Sequence, residues 1–223
     1  MKIAAIIGSP HGMKGQTGIL LEGMLEAMRG ARAEVTTFDL SALNVAPCQG
    51  CDACHRKGTC AIDDDYTAIR AAMTEADGVV IASPNYFVGV SAQLKAMIDR
   101  CCGLIHLQAI EGKYGAAVVT SGGSGSDEVE AYMLRFMRSL GYATVGSVGA
   151  LGWQMRMDDM KEPNLQAAAK LGVELVSAIR EQKQYPEQAH ERASIVERMK
   201  GLVIAQKDRW PYEYQYWVER ARI

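Results

Sequence analysis

Apolar positions change period again and again along the chain. Ile3–Ile7 form an unbroken apolar run behind Lys2 and stop at Gly8, so Lys2–Ile7 reads as a strand buried on both faces. Ile19, Leu20, Met24, Leu25 and Met28 then recur at helical spacing and predict a helix over 17–29. β-Branched residues in 34–40 mark a second strand. Asp63–Asp65 read as the cap of a helix running to about residue 76. The run at 78–82 is a third strand, followed by a helix over 91–102 with Leu94, Met97 and Ile98 on one face. A fourth strand (114–120), a helix (127–140), a fifth strand (about 144–150) and a fifth helix (165–182) complete the series. Strands alternating with helices imply an α/β protein with a doubly wound parallel sheet and helices on both faces.

Five strands favour the flavodoxin-like order 2-1-3-4-5, with ligand at the carboxyl ends of strands 1, 3 and 4. Residues 1–183 are read as that domain, with a cysteine-rich loop at 46–62. Residues 184–223 are a C-terminal helical and aromatic extension. There Pro186 breaks the fifth helix, 189–204 can form one more, and Trp210, Tyr212, Tyr214 and Tyr216 share a period of two. Such an arm packs over its own domain, crosses to a neighbouring subunit, or reaches the active site.

Composition narrows the class. The 223 residues are 48% hydrophobic and 22% charged, with a net charge of −2, an ordinary globular balance with no electrostatic case for nucleic acid or a membrane surface. The apolar runs are strand-sized, and the segment after Met1 is too short for a signal peptide, so a cytoplasmic protein is expected. Six cysteines are too few for a disulfide scaffold and point to thiols or metal ligands.

Three loops at predicted strand ends could hold a flat, phosphorylated cofactor. Gly8–Thr17 leaves a strand and enters a helix, whose free N–H groups suit a phosphate; Ser9 and Thr17 add hydroxyls. It lacks the Gly-Lys-Ser/Thr of a P-loop and the glycine spacing of a dinucleotide fingerprint. Ser83–Val90 places Tyr86 and Phe87 where rings can flank a heteroaromatic. Thr120–Gly125 offers glycines that allow close backbone approach.

The segments Gly8-Ser9-Pro10, Gly15-Gln16-Thr17, Ser83-Pro84-Asn85-Tyr86-Phe87 and Ser91–Arg100 resemble the NAD(P)H-dependent FMN reductase-like flavoproteins, and most of all the iron–sulfur flavoproteins. The resemblance covers roughly residues 1–180. It implies that Ser9, His11, Gln16 and Thr17 bind the FMN phosphate and that Pro84, Asn85, Tyr86, Phe87, Ser121, Gly122 and Gly123 contact the ring. The family usually has Arg where this chain has His11 and Asn where it has Gln16, and its loop is about one residue shorter; Lys14 is a candidate for the missing charge. The resemblance further implies homodimers or homotetramers.

Cys48, Cys51, Cys54 and Cys60 are spaced C-x2-C-x2-C-x5-C. Short gaps let one turning backbone aim several sulfurs at a compact cluster, as at the opening of a bacterial ferredoxin motif; zinc and unmetallated redox thiols are the other readings. The related iron–sulfur flavoproteins hold a [4Fe–4S] cluster on such a run. The loop follows strand 2 and is expected on the same carboxyl edge as the flavin loops. His55, Arg56 and Lys57 form a solvated face, offset cluster charge or dock an acidic partner such as ferredoxin. Cys101 and Cys102 read as structural filling, and His106 as core or interface.

Together these features predict an FMN-dependent oxidoreductase carrying a [4Fe–4S] cluster, with NAD(P)H or ferredoxin as donor, a ferredoxin or small-molecule acceptor, and no catalytic acid or base. The alternatives are a cluster-free NAD(P)H-dependent FMN or quinone reductase, a pure electron carrier, and, more distantly, a zinc-stabilised binding module.

Overall fold

A computed structural model describes residues 1–223. Its sheet contains β1 (Lys2–Ile7), β2 (Glu34–Asp39), β3 (Gly78–Pro84), β4 (Tyr114–Ser121) and β5 (Ala143–Leu151). All pairings are parallel, in the order β2-β1-β3-β4-β5. The central strands β3 and β4 are buried along their whole length, which is why they read as unbroken apolar runs. At one edge, β2 alternates between exposed and half-buried positions.

Strand side chains alternate between two cores. Ile3, Ala5, Ile7, Val80 and Ala82 meet α1 (Gln16–Gly30) and α7 (Asp158–Glu181) on one face. Ile6, Val79 and Ile81 meet α3 (Tyr66–Glu75), α4 (Ala92–Asp99), α5 (Cys102–Leu107) and α6 (Ser126–Leu140) on the other. A third, smaller cluster of Ile195, Met199, Val203 and Trp217 joins α8 (Ala189–Ala205) to α9 (Pro211–Glu219), with Ile105 of α5 packed against it.

Several elements differ from the sequence expectation. The helix expected over 91–102 is two: the N–H groups of Arg100 and Cys101 bond to the carbonyls of Met97 and Ile98, a tightened turn that breaks the α-helical ladder. Helix α7 starts at Asp158, well before residue 165 and through Pro163; Asp158 and Asp159 favour its first turn electrostatically. The aromatic stretch with its period of two is a helix begun by Pro211. Tyr212 and Tyr216 stand one helical turn apart, with ring centroids 6.4 Å apart. Inside the cysteine loop, a short helix α2 (Ala53–Lys57) is flanked by Asp52 and Gly58, both in the left-handed region. The Asp63–Asp65 run does not cap α3 through Asp65, whose carboxylate instead accepts the N–H of Asn44 at 2.7 Å. No helix is long and apolar enough to cross a membrane.

Candidate functional site

The loops after β1, β3 and β4 meet in one polar cavity of about 200 Å³. From the first come Ser9, His11, Gln16 and Thr17; from the second Pro84, Asn85 and Tyr86; from the third Thr120, Ser121 and Gly122. Gly12 turns the first loop with φ +54°, and a Cβ there would overlap the Asp39 carboxylate, which accepts the N–H of Met13 at 3.3 Å. Thr17 Oγ1 and Thr120 Oγ1 lie 2.6 Å apart and tie the start of α1 to the end of β4. The side chain of Ser91 joins α4 to the first loop by donating to the Gly8 carbonyl at 2.5 Å.

The cavity wall carries unpaired polar atoms. Gln16 Oε1, Asn85 Oδ1 and Ser121 Oγ are buried without a hydrogen-bond partner. Buried polar atoms are normally paired, so three such atoms around one cavity point to a polar ligand with several donors and acceptors. The Asn85 amide is fixed by donating to the Ser124 carbonyl at 2.9 Å.

Phe87 and Gly123, expected at the ring, do not line this cavity. The Phe87 side chain is fully exposed. Phe87 and Val88 both hold left-handed φ values, +53° and +59°, in a tight loop closed by Tyr86 N–H to the Gly89 carbonyl at 2.9 Å. That conformation turns the Phe87 ring outward. Lys14 is likewise absent from the lining, whereas Arg156 and Gly152 are present. These two follow β5, a strand end whose sequence carries no motif beyond its place in the alternation.

Cys48, Cys51, Cys54, Cys60 and Cys102 line a second cavity of about 170 Å³ together with Asp99 and Arg100. Cys102 is thus exposed at this cavity rather than filling the core. Cys101 beside it is buried, and burial pushes its thiol up to about 12. The cysteine cavity shares no lining residue with the flavin cavity. It lies at the far end of α4, whose eight residues span about 12 Å.

Arg100 anchors one side of this loop. It donates to Asp64 at 2.5 Å, to the Ala46 and Ile62 carbonyls, each at 3.2 Å, and to Cys60 Sγ at 3.2 Å. The Arg100 and Asp64 side chains are each 1% exposed. Burial works to raise the Asp64 pKa, but Arg100 and the N–H groups of Ala46 and Tyr66 hold it below the ordinary 3.8. On the other side His55 is buried, not solvated, and contacts Glu213 of α9. Burial disfavours its charge, yet hydrogen bonds to Cys54 and Glu213 and their negative charge outweigh this and push its pKa up to about 10. Arg56 and Lys57 remain on the exposed face.

The sulfurs do not converge on a single-ion geometry: the one group of three or more such ligands within 4.8 Å is His55, His106 and Glu213. Tetrahedral zinc, with Zn–S near 2.3 Å, would bring its sulfurs to about 3.8 Å of one another.

A doubly wound sheet with a polar, glycine-turned cradle across the ends of β1, β3 and β4 is the architecture of a flavodoxin-like flavoprotein. The chain belongs to the NADPH-dependent FMN reductase family, whose family model matches residues 1–154, and is an FMN flavoprotein oxidoreductase. An iron-sulfur flavoprotein of Archaeoglobus fulgidus is 30% identical over 224 residues, covering 100% of both chains. The iron-sulfur flavoprotein of Methanosarcina thermophila is 35% identical over 166 residues, covering 71% of this chain and 86% of its own. Among solved structures, the NAD(P)H:quinone oxidoreductase from Methanothermobacter marburgensis superposes with a TM-score of 0.62 at 17% identity, over 77% of this chain and 94% of that one, a likeness of fold.

Proposed function

We propose that this protein is an electron-transferring oxidoreductase with FMN in the polar cavity and a [4Fe–4S] cluster held by Cys48, Cys51, Cys54 and Cys60. The observation that carries the flavin part is the ring of unpaired polar atoms on Gln16, Asn85 and Ser121 in one cavity at the sheet's switch point. The cluster part is supported by a separate cavity walled by those thiols and by the printed names of the relatives.

When bound, FMN exchanges electrons as hydride or singly, and a [4Fe–4S] cluster exchanges them one at a time. The chain's own residues bind and orient. With FMN bound, the N-terminal turn of α1, the Ser9 hydroxyl and His11 would meet the phosphate, and Arg156 would supply positive charge to the cradle. Asn85, Ser121 and the Gly122 backbone would hold the flavin ring by hydrogen bonds, and Tyr86 would pack against it. Arg100 donates to Cys60 Sγ, which offsets negative charge on that sulfur. No side chain is required as an acid or base.

NAD(P)H and a ferredoxin are the candidate donors. The exposed Arg56 and Lys57 beside the cysteine cavity suit an acidic protein partner. A homodimer or homotetramer is the proposed assembly. The deciding experiment is an absorption spectrum of anaerobically purified protein, with iron and sulfide assayed on the same sample. Flavin bands with about four irons and four sulfides per FMN are expected. Flavin bands without iron would leave a simple NAD(P)H-dependent FMN or quinone reductase.

A further inference from the structure

The C-terminal helix carries an acid that electron transfer at the flavin does not use. Glu213 is 0% exposed. Its Oε1 lies 2.6 Å from His55 Nδ1 and its Oε2 lies 3.0 Å from His106 Nδ1. A carboxylate only accepts, so both imidazoles carry a proton on Nδ1. The two rings stack with centroids 4.6 Å apart, and Trp210 covers them at 4.7 and 5.1 Å. A lone buried carboxylate would be costly; here two donors share it.

These contacts belong to a longer grip. Arg209 pairs at 2.5 Å with Asp52, the residue before α2. His55 in the middle of α2 is held by Glu213. Gly58, just after α2, lies under the Tyr212 ring, where any Cβ would overlap it. The segment around α9 therefore holds α2 at its start, middle and end. On the opposite side, Cys54 packs against Gly103 of α5, where a Cβ would come to 3.3 Å of the Cys54 Cβ. The Trp217 indole fixes α9 to α5 by donating to the His106 carbonyl at 3.0 Å. Helix α2 sits in a slot between α5 and α9, and it carries Cys54, whose thiol lines the cysteine cavity.

We propose that Glu213 is a positioning residue: by accepting from His55 and His106 together, it locks α2 against α5 and holds the Cys54 thiol toward the cavity before any metal arrives. Its importance for cluster loading rests on the cluster reading above; the locking itself does not.

The test uses the full-length, metal-free protein, with alkylation by iodoacetamide followed at each cysteine by mass spectrometry. Loss of two charge-assisted hydrogen bonds in Glu213→Ala should speed alkylation of Cys54 by about tenfold or more. Cys48 and Cys51, already exposed, should change less than about twofold, and buried Cys101 should stay protected as the internal report of an intact fold. Glu213→Gln guards against a general loss of structure. Its amide has one acceptor oxygen, so one of the two Nδ1 atoms must lose its proton, a tautomer change read from imidazole 15N shifts. The variants and wild type are then loaded with ferrous iron and sulfide. Faster Cys54 alkylation at unchanged Cys101, together with the tautomer change, supports the lock. Unchanged Cys54 reactivity or unchanged tautomers in Glu213→Gln overturn it. Absence of iron uptake by wild type overturns the cluster reading and leaves the alkylation result to decide the lock.

Discussion

Arg156 is the clearest case of a single residue whose role follows from geometry rather than from spacing. It lines the polar cavity with His11 and Gln16, while Lys14 does not. Replacing it with Ala should weaken FMN binding about tenfold, the lower end for a charge-assisted hydrogen bond at an exposed site; Lys14→Ala should change it little. Flavin fluorescence titrations of both variants decide between the two cations. At the cysteine cavity, Cys102 shares the wall but lies outside the spaced motif. Cys54→Ser should abolish stable iron binding and Cys102→Ser should retain it. Equal iron loss in both would make Cys102 a ligand. Asp64 gives a pH signature. Its folded pKa is depressed, so its stabilisation is fully present above the unfolded value and fades as pH falls through the folded one. Asp64→Asn leaves Arg100 buried without its anion and should cost about 3–5 kcal/mol near neutrality. The stability gap between the two proteins should then close below about pH 4, as followed by thermal melts in acid. A gap that stays constant with pH would mean that the ion pair is not its source.

At the scale of elements, the C-terminal extension stands on one buried side chain. Trp217 is 1% exposed and closes the small core with Ile195, Met199 and Val203. Trp217→Ala should cost about 3–5 kcal/mol in urea unfolding. A loss below about 1 kcal/mol would show that α9 is only loosely docked. The period of two in Trp210, Tyr212, Tyr214 and Tyr216 hid this helix. What packs is the pair Glu213 and Trp217, one helical turn apart, and the first of these is polar. Hydrophobic pattern alone could not mark Glu213 as buried, because its burial depends on two histidines more than a hundred residues away in sequence. By contrast, the strands were legible, because full burial on both faces leaves a local apolar signature in β1, β3 and β4, and their number and alternation with helices favoured the observed order. The cysteine spacing was equally plain. What escaped was Arg156, which stands after a strand with no turn motif, and the break at Arg100, where backbone bonds to Met97 and Ile98 tighten the turn.

The whole molecule separates its two candidate centres. The flavin cradle lies at the strand ends and the cysteine cavity at the C-terminal end of α4, and their linings share no residue. Sites with no shared partners behave additively. A protein with Cys48, Cys51, Cys54 and Cys60 all changed to Ser should therefore bind FMN within about twofold of wild type. A large loss of flavin affinity would reveal coupling through α4, whose first turn is tied to the Gly8 carbonyl and whose end meets Cys60.

The grip of α9 on the cysteine loop also sets an order of events during synthesis. Cys48 to Cys60 leave the ribosome early, whereas Glu213 follows about 150 residues later, roughly ten to thirty seconds at usual elongation rates. Throughout that interval the thiols emerge on a segment whose fastening has not yet been translated. The growing chain therefore has an open period in which its cysteines are accessible to iron delivery or to oxidants, and the docking of α9 onto α2 brings that period to a close.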